Sequence, residues 1–305
     1  MNYYEPVPGL RLPAAAMGCM RIAEMEYGAL ERQVLLAAEL GMNFFDHADF
    51  YGEFRSEARF GEVLARNPGL REKIYVQSKC GIRIGGIYDS SAEHITKSVE
   101  NSLRSLHTGY LDFLLIHRPD PLARPDEIAR AFERLHAAGK VRYFGVSNHN
   151  PAQIEALQQA VPHKLLINQM QMSILHTPMI DHGVNVNTKF AGAEDRDGSV
   201  LEYCKAKQIM LQAWSPFQYG FFEGVFVDNP KFPELNGVLE QLAQKYETSK
   251  TALAVAWLVR IPAMVQVICG TTSAKRLEEI ARGADLALER DDWYAVYRAA
   301  GNQLP

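Results

Sequence analysis

The chain has 305 residues, 47% of them hydrophobic, with a net charge of -4 at pH 7 and a pI near 6.2. This is length for one large α/β domain or two ordinary ones, and the charge balance gives no footprint for nucleic acid or an anionic membrane surface. The longest apolar stretch, Ala252 to Val259, falls far short of the ~20 residues that span a bilayer.

The opening, Met1 to Arg11, is broken by Pro6 and Pro8 and carries Glu5, so it does not read as a signal peptide, and a cytoplasmic protein is expected. Met17 to Met20 is a candidate first strand, and Met42 to Phe45 and Lys73 to Val76 are the next two. Ile95, Val99, Leu103 and Leu106 recur at helical offsets and share one helix face. Ser90, three residues before Glu93, predicts a capping box at the start of that helix, and Gly109 predicts its stop. The strand Leu111 to His117 follows. Next come a helix carrying Ile128, Phe132 and Leu135, stopped at Gly139, and the strand Val141 to Val146. Asn150-Pro151-Ala152-Gln153 opens another helix: asparagine caps it, proline sits in its first turn and glutamine reaches back. Leu165 to Ile167, Met210 to Trp214 and Val265 to Cys269 are the later strands.

Strands alternating with helices imply a parallel sheet, and about eight such units over residues 1–305 predict a single α/β domain, a (β/α)8 TIM barrel. A doubly wound open sheet would want a glycine-rich turn after an early strand. Gly9, Gly18 and Gly28 make no G-x-G-x-x-G. Two connections are longer than a barrel needs. One runs from Leu175 to about Ser199; its later part, residues 183–199, is polar and carries Asn185 and Asn187. The other, residues 218–234, interleaves Tyr219, Phe221, Phe222, Phe226 and Phe232 with Gly220 and Gly224. It either closes over a ring system or is pinned to the surface by its own aromatics.

Cys19, Cys80, Cys204 and Cys269 are too scattered for a zinc ribbon or a redox Cys-x-x-Cys pair and read as small buried hydrophobes. No metal-ligand motif is present, so no metal is expected. Asp46, Tyr51, Lys79 and His117 each follow an apolar run and precede a polar or glycine-bearing segment. If those runs are barrel strands, the four side chains gather at one mouth. A phenol with a pKa near ~10 is a poor acid at neutral pH unless its anion is stabilised. Lys79 can do this, Asp46 can hold Lys79 charged, and a neutral His117 can align a carbonyl oxygen. A reductant is then required, which points to hydride from a bound cofactor.

Asn43-Phe44-Phe45-Asp46, Tyr51-Gly52, Ser78-Lys79, Ile116-His117, Gly145-Val146-Ser147-Asn148, Asn168-Gln169 and Trp214-Ser215-Pro216 together resemble an aldo-keto reductase, in order from about Leu10 to Ala284. The resemblance implies a barrel with an N-terminal β-hairpin and extra C-terminal helices. It also implies reduction of an aldehyde or ketone by NADP(H), with NAD(H) as the other cofactor. Asp46, Tyr51, Lys79 and His117 would be the catalytic tetrad, with Tyr51 the proton donor. Ser147, Asn148 and Gln169 match positions that bond the nicotinamide carboxamide, and Trp214 the aromatic that stacks on its ring. Ser215 and Phe217 match the pyrophosphate path, and Gly270, Thr271, Lys275, Arg276 and Glu279 the segment holding the 2'-phosphate. Ile280 departs from the pattern, standing where the family usually has an adenine-bonding asparagine. The expected partner is a small carbonyl compound, in a monomer or weak dimer. A redox-sensing protein with little turnover on the same scaffold is the alternative reading. A Schiff-base aldolase using Lys79 is disfavoured, because Asp46 would raise a pKa that such a lysine needs lowered.

Overall fold

The computed structural model describes all 305 residues, Met1 to Pro305. Eight parallel strands form a closed barrel in sequential order. They are β1 (Ala15–Gly18), β2 (Phe44–Asp46), β3 (Tyr75–Cys80), β4 (Leu111–Ile116), β5 (Val141–Ser147), β6 (Leu165–Gln171), β7 (Met210–Trp214) and β8 (Val265–Cys269). The helices are α1 (Tyr27–Glu39), α2 (Ser56–Arg66), α3 (Ala92–Ser105), α4 (Pro125–Ala137), α5 (Pro151–Ala160) and α6 (Pro178–Val184). After these come α7 (Val200–Lys207), α8 (Pro233–Lys245), α9 (Lys250–Val259), α10 (Ala274–Gly283) and α11 (Arg290–Ala299). The helix α6 lies inside the first long connection, whose polar sequence carries no helical stripe to predict it. No helix is long and apolar enough to cross a membrane.

The chain falls into two compact units. One comprises Ala16–Gln169 with Gly270–Ala274. Its strands pair in register as Gly18 with Asp46, Asp46 with Gln77, Lys79 with Leu115, Ile116 with Val146, and Gln169 with Ser147. β3 begins and ends later than its apolar run predicts. The Tyr75 N–H bonds Asn43 O, and the polar residues Gln77, Ser78 and Lys79 are fully buried strand positions. The cap of α3 is also shifted by one residue. Ser91, not Ser90, caps it by accepting the His94 N–H at 3.2 Å, while the Ser90 hydroxyl is buried without a partner. The same helix ends at Ser105 rather than at Gly109, because His107 takes the left-handed turn. The box at Asn150 and Gln153 is present in both directions, and Gly139 has the positive φ expected past a helix end.

The other unit comprises Met1–Ala15, Met170–Cys269 and Lys275–Pro305. Tyr3–Tyr4 and Leu12–Pro13 form the N-terminal antiparallel hairpin, and β7 pairs with β8 from Leu211–Val265 to Ala213–Val267. The apolar α9 is buried from Ala252 to Leu258. The Trp257 and Trp293 rings stack at 4.7 Å and 5°, and each indole N–H donates to the other residue's carbonyl. All four cysteines are free and buried.

Candidate active site

Asp46 ends β2, and its Oδ1 is a point of convergence. It accepts Lys79 Nζ at 2.6 Å, Gln77 Nε2 at 2.6 Å and Gln169 Nε2 at 3.1 Å. Gln77 and Lys79 alternate along β3 and so share one face of it. Lys79 is fully buried and also donates to the His47 carbonyl at 2.7 Å. A buried ammonium with a carboxylate and a carbonyl around it satisfies the demand that buried charge be paired and hydrogen-bonded. Gln77 was not among the residues expected here; its place two residues before Lys79 on a strand was the available signal.

Tyr51 is brought over this pair by a tight turn after β2. Its N–H bonds Ala48 O at 3.1 Å, and Gly52 follows with φ 58°. A side chain at position 52 would be strained in backbone and would also meet Ala23 Cβ at 2.5 Å and Ser56 Oγ at 2.6 Å. Lys79 Nζ lies 4.8 Å from the Tyr51 ring centroid, close enough for its charge to act on the phenol. His117, directly after β4, has its ring 5.9 Å from that of Tyr51 and 5.2 Å from Phe50. All four expected groups are therefore brought together within one unit.

Their titration is set by burial and by Lys79. Burial opposes the Lys79 charge, but Asp46 and Tyr51 hold its pKa above the ordinary lysine value. Burial pushes the Tyr51 phenol up, and the nearby Lys79 charge is the leading opposing influence. The sequence reading expected Lys79 to make the phenol a stronger acid outright. Instead burial outweighs it and keeps the resting tyrosine protonated. Burial, then Lys79 and Arg118, push His117 well below its usual range, so the imidazole is neutral; its Nδ1 is buried without a partner. On the opposite face of β3, Ser78 donates to Glu57 Oε1 at 2.6 Å. Burial raises Glu57 to about 7 and Asp49 to about 6.

The expected cofactor residues are placed as follows. Ser147 Oγ donates to Gln169 O at 2.8 Å and accepts from Asn148 Nδ2 at 2.8 Å, and Asn148 takes a left-handed backbone at the end of β5. Gln169 spends an amide N–H on Asp46. Thr271 O accepts from Gln33 Nε2, and Thr271 Oγ1 accepts the Ser273 N–H at 3.1 Å. Gly270 has no atom closer than 3.9 Å to where a Cβ would sit. In the other unit, Trp214 ends β7 and stacks on Phe222 at 6.0 Å and 23°. Ser215 has φ 53°, and Phe217 O accepts the Phe226 N–H at 3.1 Å. Phe221 and Phe222 are exposed at the tip of the hairpin Gln218–Tyr219/Gly224–Val225, while Phe226 is buried. The segment is thus anchored at one end by Phe226 and exposed at the other. Lys275 and Arg276 lie exposed in the first turn of α10, Glu279 is half-buried, and Ile280 is fully buried in packing.

The sequence profile described as the aldo/keto reductase family matches residues 16–300. The chain is 36% identical over 301 residues to the Escherichia coli protein named Oxidoreductase YdhF, covering 95% of this chain and 94% of that protein. It is 33% identical over 305 residues to an Agrobacterium fabrum 6-dehydroglucose reductase, covering 95% of each. Among solved structures, an aldo-keto reductase from Klebsiella pneumoniae in complex with NADPH has a similar fold, with a TM-score of 0.76 and 21% identity. That likeness covers 94% of this chain and 91% of the other.

Proposed function

Because the chain belongs to the aldo/keto reductase family, we propose that it reduces an aldehyde or ketone to an alcohol, with NADPH as reductant and Tyr51 as proton donor. The enzyme is an oxidoreductase acting on carbonyl groups. The observation that carries the finer reading is the buried Asp46–Lys79 pair, with the Lys79 charge set against the Tyr51 phenol.

The substrate oxygen sits between Tyr51 and His117 in this reading. Neutral His117 donates a hydrogen bond that orients the carbonyl. As negative charge develops on the oxygen, Tyr51 transfers its proton. Lys79 stabilises the phenolate left behind, and Asp46 keeps Lys79 charged and in place. A phenol held protonated at rest, with a cation waiting for its anion, is a donor that acts only when a base appears. NADPH, when bound, supplies the hydride. Ser147, Asn148 and Gln169 would hold its carboxamide and Trp214 would face its ring, with Ser215 and Phe217 along the pyrophosphate. Gly270, Thr271, Lys275, Arg276 and Glu279 would hold the 2'-phosphate end. The amino end of α10 suits an anion, since its first-turn N–H groups lack partners within the helix and two cationic side chains stand beside them. Four free, buried cysteines suit a reducing cytoplasm.

The test measures NADPH consumption with a panel of aldehydes, ketones and quinones, beginning with keto and aldehydo sugars because one relative is named for such a substrate. Tyr51→Phe is expected to lower kcat by roughly 10²-fold or more, in line with the usual size of general acid help. NADPH binding, followed by fluorescence titration, should stay within about twofold of wild type. Undiminished kcat in Tyr51→Phe would remove its acid role.

A further inference from the structure

A second set of ligand-bearing side chains lies in the connection between β6 and α7, wholly within one unit and unused by the chemistry above. His182 on α6 is 6% exposed. Its Nδ1 lies 2.9 Å from the Pro178 carbonyl oxygen, which can only accept, so Nδ1 carries a proton and Nε2 is the nitrogen free to coordinate. That Nε2 is buried and has no hydrogen-bond partner. A ring nitrogen of His182, a carboxylate oxygen of Asp195 and one of Asp197 all lie within 4.8 Å of one another.

We propose that His182, Asp195 and Asp197 bind a divalent ion of the zinc class. The donor set is one imidazole nitrogen and two carboxylates, which suits borderline transition ions; calcium and magnesium want all-oxygen shells of six or more ligands. A ligating histidine commonly donates its other N–H to a backbone carbonyl, which orients the ring, and Pro178 O does this here. The carboxylates are positioned by the backbone around them. Asp195 Oδ1 accepts the N–H groups of Asp197, Gly198 and Ser199 at 3.0, 2.8 and 3.2 Å, and Asp195 Oδ2 accepts Ser199 Oγ at 3.0 Å. Asp197 Oδ1 accepts the Val200 N–H at 3.1 Å. Arg196, between the two aspartates, is engaged by Glu194 at 2.7 Å instead of neutralising them. Glu202 Oε2 stands 3.8 Å from His182 Nε2, too long for a hydrogen bond. Zinc bonds of about 2.0–2.2 Å put neighbouring ligand atoms about 3.3–3.6 Å apart. The exposed 194–199 turn closes whatever separation exceeds this when the ion binds. The ion clips that turn to α6.

The experiment uses the full-length protein without an affinity tag, stripped with a chelator and dialysed against micromolar zinc. One zinc per chain is expected. Asp197→Asn keeps an acceptor for the Val200 N–H while removing the charge, and His182→Gln removes the imidazole. Each should weaken zinc binding at least tenfold with an unchanged circular dichroism spectrum. Zinc should also protect residues 186–199 from limited proteolysis in the wild type and not in Asp197→Asn. No zinc uptake by the wild type would overturn the proposal. Equal zinc affinity in Asp197→Asn would overturn it too, and equal protection by calcium or magnesium would overturn the assignment to the zinc class.

Discussion

Burial decides the ionisation of nearly every group around Lys79, and the consequences can be measured one residue at a time. Glu57 has an ordinary value of 4.5 and is pushed up to about 7 by burial, opposed by hydrogen bonds from Ser78 and Ser102 and raised further by Asp49. The folded protein therefore binds a proton at Glu57 that the unfolded chain has lost above about pH 4.5. This contribution to stability is fully present below that pH and lost as pH rises through about 7. Asp49, raised to about 6, acts in the same direction. Glu57→Gln keeps the contact to Ser78 and cannot ionise. Its stability relative to wild type should rise between pH 5 and pH 8 by roughly 2 kcal/mol, read from urea unfolding at each pH. A wild-type-minus-variant difference that is flat with pH would show that Glu57 ionises normally. At the cofactor end, Arg276→Ala should weaken NADPH roughly ten- to a hundredfold while changing NADH by less than about twofold, since a charge-assisted bond to phosphate contributes ~1.5–3 kcal/mol. Equal losses for both would take Arg276 away from the phosphate.

Among the elements, β5 shows how close packing sets a sequence motif. Gly145 lies in the strand that ends at Ser147, and a Cβ there would meet Ile167 O at 2.6 Å and Leu115 Cδ2 at 2.7 Å. The neighbouring strands β4 and β6 approach closely because this position has no side chain. Gly145→Ala should destabilise the protein by about 1–3 kcal/mol through overpacking and disturb Ser147 and Asn148 beyond it. An unchanged urea midpoint would mean that the strands can part without cost. Helix starts were legible where a cap had only one reading, as at Asn150, and less so where two serines competed, as at Ser90 and Ser91. The choice went to Ser91 because its hydroxyl reaches the His94 N–H, a fact of backbone geometry that composition does not carry.

For the molecule as a whole, the C-terminal segment acts as a packed element. Trp293 stacks on Trp257 and on Tyr297, and the Tyr297 hydroxyl donates to Asp181 Oδ1 at 2.6 Å. Both indole N–H groups find backbone carbonyls, so the stack buries apolar area without orphaning polar atoms. Trp293→Ala should cost about 3 kcal/mol, the usual scale for a large aromatic lost from packing, and lower the thermal midpoint by several degrees. A midpoint within a degree of wild type would mean that α11 is dispensable to folding.

Periodicity alone was enough for the strand–helix alternation and hence the barrel, because a strand buried on both faces leaves an apolar run and a helix leaves a stripe. The ordered motifs were enough to nominate Asp46, Tyr51, Lys79 and His117. Sequence could not reveal that Gln77 and Gln169 both turn to Asp46, or that Ile280 is buried in packing. Nor could it reveal that Tyr51 is held protonated, or that His182 lies near Asp195 and Asp197. Those facts depend on which side chains meet across many residues of chain and on how much water is left around them. Local patterning carries no record of either, and only the folded chain sets those distances and that burial.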